Sequence, residues 1–122
     1  MLAGQRILIV EDEPLIGIDL EAAVKDSGGI VVAIASTVVD ATRSVETETL
    51  HGAIVDLRLR HELATPVLER LVTRNIPFVI HSGQADAAIG AEWPGVPIID
   101  KPALPETVMA ALAKAIRDRR SD

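Results

Sequence analysis

Four apolar runs of this chain each end in a group able to hold a cation or a phosphate. Ile7–Val10 runs into Glu11-Asp12-Glu13, Ala53–Val55 into Asp56, Phe78–Ile80 into His81-Ser82-Gly83, and Val96–Ile99 into Asp100-Lys101-Pro102. Carboxylates gathered in one pocket repel, so one of them must take up a proton or a cation must sit among them. Oxygen donors suit a hard ion such as Mg2+, which keeps several waters and takes one or two carboxylates together with phosphate oxygens. A carboxylate beside such an ion, with a hydroxyl and an ammonium at hand, is equipped for phosphoryl transfer: it attacks phosphorus in line while the cations neutralise the surrounding oxygens.

That chemistry requires elements that bring the run ends together. The runs Ile7–Val10, Ile30–Ile34, Ala53–Val55, Phe78–Ile80 and Val96–Ile99 are continuous rather than alternating, as expected of strands buried on both faces of a parallel sheet. Segments of helical period separate them. Pro14 suits the first turn of a first helix that Gly28-Gly29 stops, with Leu15, Ile18, Ala22 and Ile16, Leu20, Ala23, Val24 as its apolar stripe. A second helix starts at Ser36 or Thr37 and turns Val38, Ala41, Thr42 and Val45 inward. Thr65 is read as the cap of a third, with Pro66 in its first turn and Val67, Leu68, Leu71 and Val72 on one face. The stretch "GQADAAIGAEWPGVP" leaves room only for a short fourth helix, Asp86 to Ala91, and the last begins at Pro105 with Val108, Met109, Leu112 and Ile116 inward.

Strands alternating with helices make an α/β doubly wound domain of flavodoxin-like order 2-1-3-4-5 with helices on both faces. Its sites form beyond the C-terminal strand ends, at the switch point between the first and third strands. Neighbouring strands lie about 4.8 Å apart, so Glu11-Asp12 and Asp56 would face one pocket.

A chain of 122 residues is expected to form one domain, residues 1–122. It has no cysteine, which excludes disulfides and thiolate metal sites and fits the cytoplasm. No apolar run approaches the roughly 18 residues of a membrane span. The net charge of −6 argues against direct nucleic-acid binding, which needs a basic face.

The motifs "VEDEP", "VDLRL", "SG" and "KP", in that order after the first, third, fourth and fifth strands, resemble the receiver domains of two-component response regulators over essentially the whole chain. The resemblance implies a stand-alone, cytoplasmic phosphoacceptor rather than an enzyme. Asp56 would take a phosphoryl group from a histidine kinase or a histidine phosphotransfer protein, and the change would switch a surface that meets a downstream protein; a homodimer is compatible with it. Glu11, Asp12, Asp56 and the backbone carbonyl of Arg58 would hold Mg2+. Ser82 and Lys101 would each bind a phosphoryl oxygen, across a cis Lys101-Pro102 bond. The variable positions two residues after the acceptor and the serine are Arg58 and Gln84. Arg58 has two partners open to it, the phosphoryl group and Glu11. Many relatives carry an aromatic residue three positions before the lysine, where this chain has Ile98.

Each residue also has a plainer reading. Asp56 and Ser82 suit turns, and Glu13 suits the positive end of the helix that Pro14 opens. His81 reads as a half-buried polar residue of its strand and Trp93 as a packing anchor in its loop. The three histidines show no metal-ligand spacing, and no Gly-x-Ser-x-Gly elbow supports hydrolysis through Ser82. Two rivals to the phosphoacceptor follow. One is a pseudo-receiver that only binds partners. The other is a magnesium-dependent phosphatase with an aspartyl nucleophile, disfavoured because Arg58 stands where its general acid is expected.

Overall fold

The computed structural model describes residues 1–83 and 86–120. Five parallel strands, β1 (Arg6–Val10), β2 (Ile30–Ala35), β3 (Gly52–Val55), β6 (Phe78–Ser82) and β7 (Ile98–Asp100), form one sheet in the order β2-β1-β3-β6-β7. This is the flavodoxin-like arrangement expected, with its switch point between β1 and β3. The continuous apolar runs are continuous because both sheet faces are covered. Leu8, Val10, Val55 and Ile80 pack towards α2 (Val38–Thr47) and α3 (Thr65–Thr73). Ile7, Ile9, Ile54 and Val79 pack against α1 (Pro14–Asp26) and α5 (Pro105–Arg120). Successive strand residues therefore serve opposite layers of one sheet.

Several local expectations are corrected. α1 buries Gly17, Leu20 and Val24, whereas Leu15 and Ile18 are exposed and so is Ala22. The two rows share one helical spacing and differ only in which side meets the sheet. Gly17 allows the close approach, since a Cβ there would already touch Ile34 at 3.4 Å. Thr37 caps α2 by accepting from the Asp40 N–H, but Thr65 is the first residue of α3 rather than its cap, and Ala64 precedes it. Val72 is exposed because Val67, Leu68 and Leu71 already fill the buried arc of that helix. The last strand starts at Ile98, two residues after the apolar run begins, because Pro97 has no N–H to add to the ladder. α4 (Ala87–Gly90) is only four residues long, and Asp86 stands just ahead of it.

One element was not anticipated. Residues Arg58–Leu59 (β4) and Glu62–Leu63 (β5) pair antiparallel in a small hairpin between β3 and α3. Arg60 turns it with a φ of 58°, in the left-handed region.

Candidate functional site

The parallel ladder delivers the chemical groups. Beyond the strand ends, the Asp56 N–H donates to the Val10 carbonyl at 2.9 Å and the Lys101 N–H to the Ser82 carbonyl at 2.9 Å. Those bonds hold Asp56 beside the end of β1 and Lys101 beside the end of β6. Glu11, Asp12 and Asp56 consequently present carboxylate oxygens that all lie within 4.8 Å of one another. Glu11 and Asp56 are buried and Asp12 is half-buried. The exposed Asp100, one step before Lys101, points elsewhere, as strand alternation requires.

Lys101 is the cation among these acids. Its Nζ lies 2.8 Å from Asp56 Oδ2, 2.9 Å from Glu11 Oε1 and 3.9 Å from Glu13 Oε1. Burial lowers the affinity of this ammonium for its proton, but the hydrogen bonds to Asp56 and Glu11 outweigh burial and raise its pKa. At Glu11 the balance falls the other way. Burial outweighs the bond from Lys101, and with the nearby Asp56 charge it pushes the carboxyl up from 4.5 to about 7. Glu13 leaves its side chain in solvent at the start of α1 and uses its backbone N–H on Glu11 Oε2 at 3.2 Å.

On the other oxygen of Asp56, the Ser82 hydroxyl and the Arg58 N–H both lie at 3.1 Å from Oδ1. The Arg58 side chain takes neither course open to it in the sequence. It pairs with Asp86, Nη2 at 2.9 Å and Nε at 3.3 Å from Oδ1, and that bond raises the guanidinium pKa. Asp86 is the site residue that sequence reasoning missed; there it only opened a helix. The hairpin joins the pocket too, because the Arg60 N–H donates to Asp12 Oδ2 at 2.7 Å. Lys101-Pro102 is cis. Gln84 lies outside the described residues.

His81 departs from its half-buried reading. It is 4% exposed, and neither ring nitrogen has a hydrogen-bond partner among the described residues. It faces the α1 side of the sheet and lines a cleft of ≈ 420 Å³ with Glu13, Ile16, Leu20 and Lys101. Burial lowers its pKa. Trp93 is half-buried and packs on the α2–α3 side of the core, as an anchor should.

A doubly wound sheet whose strand ends gather an acidic trio, a hydroxyl and a lysine is the architecture of a response regulator receiver, and this chain belongs to that family. It is 38% identical to SdrG from Sphingomonas melonis, covering 93% of this chain and 99% of SdrG with a TM-score of 0.78. The response regulator PhyR from Brucella abortus superposes with a TM-score of 0.85 at 28% identity, over 98% of this chain and 50% of that one. The phyllosphere-induced regulator PhyR of Methylorubrum extorquens is 32% identical over 114 residues, which are 90% of this chain and 43% of that protein. The chain thus spans about half the length of the PhyR relatives it matches. No family model matches it. The two PhyR relatives are named as regulators, that of Brucella abortus as a response regulator. Among the described residues, no helix is long and apolar enough to cross a membrane.

Proposed function

We propose that residues 1–122 form a phosphoacceptor domain that works in the cytoplasm and carries its signal on Asp56. The observation that carries this reading is the placement of three carboxylates and Lys101 around a single point at the strand ends. An Asp56 oxygen attacks the phosphorus of a phosphohistidine on a kinase or phosphotransfer protein. The new P–O bond forms as the P–N bond breaks, and the donor imidazole leaves with its electron pair and takes up a proton. Ser82 and Lys101 stand at opposite oxygens of Asp56, so each can donate to a phosphoryl oxygen from its own side.

The donor set suits Mg2+, since all three side-chain ligands offer oxygen and lie close enough to share one ion. Glu11, Asp12, Asp56 and the Arg58 carbonyl would hold it, and it would neutralise phosphoryl charge. Phosphorylation adds about −1.5 to −2 charge at pH 7, which draws donors inward and biases the surface around α4 and α5 towards a downstream protein. A homodimer is one form that this contact can take.

The phosphatase reading loses support. Arg58 occupies the general-acid position, and a guanidinium, here paired with Asp86 at 2.9 Å, does not give up its proton. The pseudo-receiver keeps one observation in its favour: Lys101 already pairs with Glu11 and Asp56, compensating both without a metal.

Incubation with magnesium and a small phosphodonor, read by intact mass, separates these readings. The expected result is one phosphate adduct per chain, absent in Asp56→Asn. No adduct and no magnesium binding would leave the pseudo-receiver standing, and multiple turnover on phosphomonoesters would revive the phosphatase.

A further inference from the structure

Asp86 is 6% exposed and stands just ahead of α4, where its N–H donates to the Gly83 carbonyl at 3.0 Å. Its two oxygens hold different groups. Oδ1 takes both Arg58 donors, and Oδ2 lies 3.4 Å from the Ser82 hydroxyl. That hydroxyl is also 3.1 Å from Asp56 Oδ1. A serine has one hydroxyl proton, so two carboxylates compete for one donor. Arg58 is equally committed: its backbone N–H is on Asp56 while its side chain turns away to Asp86.

We infer that Asp86 is a positioning residue of the phosphoacceptor site, holding Arg58 and Ser82 in the unphosphorylated arrangement in competition with a phosphoryl group on Asp56. The inference rests on Asp56 being the phosphoacceptor. A phosphoryl group brings strong acceptor oxygens to the side of Asp56 from which Ser82 and the Arg58 backbone already donate. Ser82 then turns its single proton from the carboxylates to a phosphoryl oxygen. Arg58 has a choice between a buried carboxylate and a more highly charged neighbour. If Arg58 leaves, Asp86 is a buried, uncompensated charge close to the phosphoryl group, so the pair resists the active state until the phosphoryl group outbids it. Removing the Asp86 charge frees Arg58, whereas removing Arg58 strands Asp86.

The affinity for beryllofluoride with magnesium, titrated by 19F NMR on the whole chain, tests this through the opposite signs of the two single changes. Asp86→Asn should bind about tenfold tighter than wild type and Arg58→Ala about tenfold weaker, the size expected for one charge-assisted hydrogen bond. The combined variant should return close to wild type. A merely structural Asp86 gives the opposite sign, with Asp86→Asn weaker. An unchanged or weaker Asp86→Asn overturns the inference. If Asp86→Asn does not fold, Asp86→Ala in the Arg58→Ala background replaces it, and there recovery of about tenfold supports the competition while no recovery overturns it. Wild-type protein that takes no beryllofluoride overturns the assignment of Asp56 itself, and the inference falls with it.

Discussion

Lys101 Nζ sits 2.9 Å from Glu11 Oε1, with only 15% of the lysine side chain and 1% of the glutamate side chain exposed. This pair, shared with Asp56, makes the acidic pocket compatible with a folded, metal-free protein. Removing one partner of a buried ion pair typically costs about 3–5 kcal/mol. Lys101→Met should therefore lower stability by about 3 kcal/mol near neutral pH without magnesium, with part of the loss recovered when magnesium is added. Urea denaturation with and without the ion checks this, and a loss that magnesium leaves untouched would contradict it.

Glu11 and His81 should give stability opposite slopes against pH. Glu11 holds its proton up to about 7 when folded and releases it near 4.5 otherwise, so its contribution is full below 4.5 and is lost as pH rises through about 7. His81 has a folded pKa below its ordinary 6.5, so its contribution is present above 6.5 and is lost as pH falls. Glu11→Gln should remove the first slope and leave the second, and His81→Leu the reverse. His81→Leu should also gain about 1 kcal/mol near neutral pH, because it removes two buried nitrogens that find no partner among the described residues. Denaturation midpoints measured across the acid-to-neutral range for each variant decide the matter.

The proton on Glu11 also competes with a metal. Magnesium affinity should fall as pH drops through about 7, and binding should release protons near that pH. Calorimetry in two buffers of different ionisation enthalpy reads the proton count. Identical heats in both buffers would show that Glu11 is already deprotonated.

The hairpin is tied to the pocket by Asp12, whose Oδ2 accepts from the Arg60 N–H at 2.7 Å. Asp12→Ala should speed hydrogen exchange at the Arg60 amide by about tenfold in metal-free protein, while the β1 and β3 amides keep their protection. Uniform loss across the sheet would instead mean that Asp12 supports the whole fold.

At the opposite end of β3, a Cβ on Gly52 would stand 3.0 Å from Ile116, 3.1 Å from Leu112 and 3.3 Å from Ile7. Gly52→Ala should cost about 1–2 kcal/mol through overpacking. A thermal midpoint equal to wild type would show that α5 moves aside freely.

The amino-acid sequence by itself determined the sheet and most of the side chains that gather at its edge. Apolar runs without alternation require cover on both faces, and parallel strands end at one edge, so Glu11, Asp12, Asp56, Ser82 and Lys101 were legible as a group before any contact was seen. Helix orientation was not legible. Leu15–Ile18 and Gly17–Leu20 have the same spacing, and only docking against β2 and α5 selects the buried row. The Arg58–Asp86 pair spans 28 positions, and Arg60 meets Asp12 across 48. Periodicity carries no information about such partners. They follow from a left-handed residue in a short hairpin and from the place of Asp86 just ahead of α4, and the side-chain directions there exist only once the sheet has brought the strand ends together.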